Sequence, residues 1–182
     1  MPSLRRDNVA IHYEFEGSGP PIVMISPFGM HAGYGAEVFL RSLLVQQYAV
    51  LAVDNRGSGQ TVVLDETPFS LEDIADDIVA VMDHVDIDRA HVMGTSMGGT
   101  LGILMALRHP DRVQSVVAAV CAVSPLPERS WFVLETSRRM LDQNVPMEFY
   151  ISHFAITALG QAEFEDREVM AMFLGASSDP FI

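Results

Sequence analysis

The residues best suited to do chemistry are Gly94-Thr95-Ser96-Met97-Gly98-Gly99, a G-x-S-x-G pattern between a strand-like and a helix-like apolar run. The spacing has a physical reason in that setting. A serine on a sharp strand-to-helix turn projects its Oγ away from the sheet, and small flanking residues let helix and strand approach closely. The helix N-terminus beneath favours negative charge at that hydroxyl. A glycine-rich turn with an inert serine is the bland alternative. Ser96 is the candidate nucleophile.

Two further loops follow strand-like runs. Ser26-Pro27-Phe28-Gly29 comes directly after Ile22–Ile25, and Asp54-Asn55-Arg56-Gly57-Ser58-Gly59 directly after Ala49–Val53. In the second, the glycines permit tight turns, and Asp54 and Arg56 are placed to pin the loop. A phosphate cradle would need a G-x-x-x-x-G-K-[ST] pattern, which is not there.

Short apolar runs alternating with longer helical segments predict an α/β fold, a mostly parallel sheet flanked by helices. Ala10–Phe15 alternates as a strand does and ends at the turn cluster Gly17-Ser18-Gly19-Pro20-Pro21. Ile22–Ile25, Ala49–Val53 and Ala90–Met93 read as strands buried on both faces. Glu37–Gln47 reads as a helix. Ser70-Leu71-Glu72-Asp73 is a capping-box-like start. After it Leu71, Ile74, Ile78, Val81, Met82 and Val85 form an apolar stripe, with acidic residues assigned to the opposite face. Met97–Arg108 is apolar nearly all round and closes at His109-Pro110; Val113–Val123 is the next strand. From Pro125 onward the pattern turns helical and amphipathic. The chain is thereby expected to divide into a core, residues 1–124, and a helical cap, residues 125–182.

Composition narrows the function classes. The chain has 182 residues, 11 basic against 24 acidic, for a formal charge of −13. Such a surface repels a phosphate backbone, so nucleic acid is excluded as a partner. The single cysteine, Cys121, rules out an internal disulfide framework and a cysteine-built zinc site. No stretch approaches the roughly 20 apolar residues of a membrane span, and the N-terminus does not read as a signal peptide. The expectation is a cytoplasmic setting with no metal or organic cofactor and no membrane contact.

Together with Pro20-Pro21-Ile22-Val23-Met24-Ile25 and Leu107-Arg108-His109-Pro110-Asp111-Arg112-Val113, these loops resemble the α/β-hydrolase superfamily. The closest branch is that of small esterases, enol-lactonases and C–C bond hydrolases, and the likeness runs from about Leu4 to Val123. The resemblance implies Ser96 as nucleophile, the backbone amides of Phe28 and Met97 as the oxyanion hole, and a small ester or lactone as substrate. Pro27 has no N–H to contribute. One departure is Ser26-Pro27, where the family often has His-Gly. Met140, Phe149, Phe154, Phe164 and Met172 imply a partly apolar substrate, although such a stripe is more often core.

The family order is Ser, then Asp or Glu, then His. After Ser96 this chain offers no later strand with a family acid, nor a family histidine. Serine without a base is a poor nucleophile, so the absence bears on activity. His31, just past the oxyanion loop, is the foremost substitute base. His153 and, as acid, Glu128 are weaker stand-ins. His12, His84, His91 and His109 read as structural or solvated. Val113–Val123 would also become an open sheet edge, inviting self-association or a complementing chain. Rival readings are a non-catalytic ligand-binding relative, and a cofactor-free haloperoxidase or C–C hydrolase on the same scaffold.

Overall fold

The computed structural model describes residues 2–32, 36–121, 135–136, 138–140 and 142–143. The chain divides into two units, Met1–Val123 and Ser124–Ile182. In the first, the strands are β1 (Ser3–Arg6), β2 (Val9–Gly17), β3 (Pro21–Ile25), β4 (Ala49–Val53), β5 (Val62–Val63), β6 (Ala90–Thr95) and β7 (Val113–Ala119). The helices are α1 (Ala36–Leu44), α2 (Leu71–His84) and α3 (Met97–Arg108). Among the described residues they form one sheet in the order β1-β2-β4-β3-β6-β7, with β5 paired to β2. The strands from β4 to β7 run parallel, while β1, β2 and β5 pair antiparallel at one side.

The parallel strands are apolar without interruption because both faces are covered. Val23, Ile25, Leu51 and Val53 pack with Ile78, Met82, Leu101 and Met105 of α2 and α3. The alternate residues Ile22, Met24, Val50 and Ala52 pack on the other face with Leu44, Val45 and Tyr48. A one-residue register slip would exchange the two sets, so burial itself specifies the pairing.

Local signals set the helix ends. The Ser70 side chain accepts from the Asp73 amide, and the Asp73 carboxylate accepts from the Ser70 amide at 2.7 Å, a complete capping box. Helix α3 keeps the bounds its sequence implies. Helix α1 stops at Leu44, short of the expected Gln47. Strand β7 stops at Ala119, well before the expected Val123, because Val120 takes a φ of 50° that no strand residue can hold. Strands β1 and β5 were not anticipated. They are short, and their sequences carry little hydrophobic periodicity.

Helix α2 corrects the expectation that its acidic residues all face water. Asp77 is only 2% exposed and lies between two guanidiniums. Arg56 donates to it through Nε at 2.5 Å and Nη2 at 3.1 Å, and Arg6 through Nη1 at 2.7 Å. His12, read as structural or solvated, is buried, the first of those two. The cap expected from Pro125 onward falls almost wholly outside the described residues. Of it, Glu135, Arg138, Arg139 and Asp142 form ion pairs at helical spacing.

Asp76, one residue before Asp77, ties α2 to the end of α3. Its carboxylate accepts two bonds from Arg108, each 2.8 Å, and sits 2.7 Å from His109 Nε2. The Arg108 bonds first, and His109 second, hold its pKa far below the ordinary carboxylate value of 3.8. A pKa depressed in the folded state gives stability that is present above about pH 4 and lost as pH falls. Thermal melting followed from pH 7 to pH 2 should show wild type losing stability below about pH 4. Asp76→Asn should melt lower at pH 7 and show a flatter acid limb; identical limbs would refute the linkage.

Candidate active site

Ser96 is the N-cap of α3 and adopts φ 52°, ψ −120°, a left-handed backbone that non-glycine residues rarely take. Its side chain is exposed and makes no capping bond to the helix. The turn is held on both sides instead. The Ser96 amide donates to the Ala119 carbonyl at 2.9 Å, extending the β6–β7 ladder by one rung, and its carbonyl accepts from the Thr100 amide at 3.2 Å. Strain of order 1–3 kcal/mol persists at such a residue only when its surroundings over-determine it.

The flanking glycines supply the room. A Cβ on Gly98 would overlap the Ile25 carbonyl and lie 2.9 Å from the Ser26 oxygen. A Cβ on Gly94 would overlap the Gly98 carbonyl group. Strand β6, the first turn of α3 and the end of β3 are thus in backbone contact. That contact brings Met97-Gly98 beside the segment leading to Phe28, two chain regions far apart in sequence.

The Ser26–Ala32 segment turns tightly. The Met30 amide donates to the Pro27 carbonyl at 3.2 Å, and Gly29 has φ 71°. Phe28 presents its ring to solvent, 55% exposed. The first amides of a helix lack intrahelical acceptors, so the Met97 N–H is open to a ligand by construction.

Asp54 and Asn55, both 1% exposed, hold this segment from β4. Asp54 Oδ1 accepts the Ala32 amide and its Oδ2 the Gln60 amide, each at 2.8 Å. Asn55 Nδ2 donates to the Ser26 carbonyl at 3.3 Å. Arg56, besides binding Asp77, donates to Asn8 Oδ1 at 2.9 Å and lies 5.8 Å from the Phe69 ring centroid. The architectural reading of the Asp54–Gly59 loop therefore agrees with the structure. Sequence reasoning passed over Asn55; its place beside Asp54 and Arg56 was the available signal.

The described histidines make contacts in several parts of the fold. The His31 Cβ occupies the space that a Cβ on Gly59 would need, at 2.6 Å, which seats it against the Asp54 loop. His84 packs edge-on to Tyr13, His91 meets Ser115 at 2.8 Å, and His109 binds Asp76. Among the described residues the recorded hydrogen bonds of Ser96 are those of its backbone to Ala119 and Thr100. His153 and Glu128 lie outside the described residues. Among those described, no cluster of three or more His, Cys, Asp or Glu is arranged to hold a metal, and no helix is long and apolar enough to cross a membrane.

A parallel sheet with a strained serine at a strand-to-helix turn defines a class of hydrolase scaffold. The sequence profile of the alpha/beta hydrolase fold matches residues 20–171, and the chain belongs to that family. It is 37% identical over 112 residues to the "Putative carbamate hydrolase RutD" of Caulobacter segnis, covering 59% of this chain and 41% of that protein. Over 115 residues it is 30% identical to 3-oxoadipate enol-lactonase 1 of Acinetobacter baylyi, covering 63% of this chain and 41% of that protein. A solved hydrolase from Pseudomonas aeruginosa superposes with a TM-score of 0.79 at 22% identity, over 95% of this chain and 65% of that one. The matched segment therefore spans about two fifths of the curated relatives' length (41%).

The crowding at Gly98 is directly testable. Gly98→Ala should destabilise by about 1–3 kcal/mol, the usual range for overpacking against a fixed backbone. Gly102→Ala should be close to neutral: its nearest neighbours are the Val92 and Val116 methyls at 3.2 and 3.3 Å, and alanine favours the helix. Equal melting temperatures for the two variants would contradict the close approach.

Proposed function

We propose that Ser96 is the nucleophile of a cytoplasmic serine hydrolase that cleaves an ester or lactone bond in a small, partly apolar substrate. The observation that carries this reading is the strained, exposed backbone of Ser96 at the N-terminus of α3. Oγ attacks the carbonyl carbon, and the oxygen, now anionic, accepts from the Phe28 and Met97 amides. The C–O bond breaks, the alcohol departs or stays tethered if the substrate is a lactone, and water releases the acid from Ser96. The Oγ proton goes to a base, for which His31, just past the oxyanion loop in sequence, is the candidate, and that base returns it to the departing alkoxide.

Cleavage of a carbamate is a second reading, favoured by the 37% relative. The same oxyanion is formed, so substrate panels rather than geometry separate the two.

Activity on p-nitrophenyl butyrate, a five-membered lactone and a simple carbamate should rank the substrate classes. Ser96→Ala should cut the rate on the best of them by roughly 10³-fold or more, to the residual level that binding and main-chain donors alone supply. Equal rates for wild type and Ser96→Ala would remove serine chemistry altogether.

The open side of β7 supports a proposal about assembly as well. Among the described residues β7 pairs with β6 alone, and Val117 is 52% exposed. An unpaired apolar edge recruits another strand. The proposal is that the chain self-associates or takes up a complementing chain there. Sedimentation at micromolar concentration should show a dimer or larger species, and lysine at Val117 should shift it toward monomer. A monodisperse wild-type monomer would count against the proposal.

A further inference from the structure

We infer that Asn55 is a positioning residue for the oxyanion loop, acting through the Ser26 carbonyl on the direction of the Phe28 amide. This rests on the reading of Phe28 as an oxyanion donor. Ser26 and Ala32 are the two ends of the loop. Adjacent residues at the end of β4 hold both of them: Asn55 Nδ2 binds the Ser26 carbonyl at 3.3 Å, and Asp54 Oδ1 binds the Ala32 amide at 2.8 Å.

The geometry carries the effect from Asn55 to Phe28 in three steps. The bond to Asn55 sets the plane of the Ser26–Pro27 peptide. The ring of Pro27 fixes its φ, so no freedom enters there. The Met30 amide, bound to the Pro27 carbonyl at 3.2 Å, then sets the plane of the Pro27–Phe28 peptide, whose N–H is the candidate donor. The Ser26 oxygen also faces the bare Cα of Gly98, at 2.9 Å from where a Cβ would stand. A shift of that one peptide would move the loop against the elbow.

Asn55 is also an expensive choice on any other ground. It is 1% exposed, and its Oδ1 has no hydrogen-bond partner among the described residues. Leucine has nearly the same shape and would bury without that penalty. The side chain cannot be turned over either, since Oδ1 would then face another acceptor. What the amide adds over leucine is the single Nδ2 donor to Ser26.

The test uses the full chain and two near-isosteric variants, Asn55→Leu and Asn55→Asp. Ester turnover, Ser96 labelling by a fluorophosphonate, thermal melting and amide hydrogen exchange are measured on each. Both variants should fold, keep KM within about twofold and lose about 10- to 100-fold in kcat and labelling rate, less than the roughly 10²- to 10³-fold cost of removing an oxyanion donor outright, because the donor is displaced and not lost. For Asn55→Asp the labelling rate relative to wild type should rise as pH falls, because a protonated carboxyl can again donate to Ser26. A residue that only filled space would give no such recovery. The Met30 and Ala32 amides should exchange faster in Asn55→Leu, while those of β4 do not change.

Folded variants with wild-type kcat and wild-type exchange would overturn the inference, as would collapse of both variants, which would make Asn55 a folding residue. If wild type itself shows no labelling at Ser96, the hydrolase reading fails separately, and the exchange of Met30 and Ala32 still decides the role of Asn55.

Discussion

The contact on which the site depends is between backbones, with no side chain involved: the first turn of α3 lies against the Ile25 and Ser26 carbonyls because Gly98 has no Cβ. That approach forces Ser96 into a left-handed conformation, and the same turn faces its hydroxyl to solvent. The cost is distributed over secure neighbours. The Ser96 amide is bound to β7, and α3 is anchored by Leu101 and Met105, both fully buried. Burying side chains of this size contributes about 1.5–3 kcal/mol each, comparable to the strain they oppose.

The sheet and helices do more than support the turn. Three strand ends, those of β3, β4 and β6, deliver the loop at Phe28, the clamp at Asp54-Asn55 and the serine to one side of the sheet, where open α/β sheets bind ligands. The clamp is fastened from behind. Arg56 follows Asn55 directly and is drawn into the buried carboxylate of Asp77, which Arg6 also binds. Such an ion pair adds little net stability, since desolvation offsets much of the Coulomb attraction. Its effect is geometric, because a planar guanidinium bound at two atoms leaves the loop one orientation.

Legibility in the sequence followed distance along the chain. The Ser70–Asp73 capping box, the bounds of α3 and the turn at Ser96 are each set by residues within a few positions, and each was readable. Asp77 was misread as a surface acid because its partner Arg6 is 71 positions away. Strand β7 ends at a left-handed Val120 inside the apolar run Val113–Val123, where no Gly, Pro, Asn or Asp signals a stop. Asn55 was overlooked for the same reason as Asp77, its partner Ser26 being 29 positions distant. His31, chosen by nearness in sequence to the oxyanion loop, has its Cβ against Gly59, a contact 28 positions away along the chain.

The division of labour in the site follows from these constraints. An oxyanion hole made of main-chain amides needs no particular side chain, only peptide planes held at fixed angles; in the proposed reading glycines, a proline and the Asp54-Asn55 clamp would hold them. Proton transfer asks for the opposite, a titratable side chain within hydrogen-bond reach of Oγ. The two halves of such chemistry have different structural origins: one can come from the packing of the main chain, and the other needs a side chain placed beside Oγ.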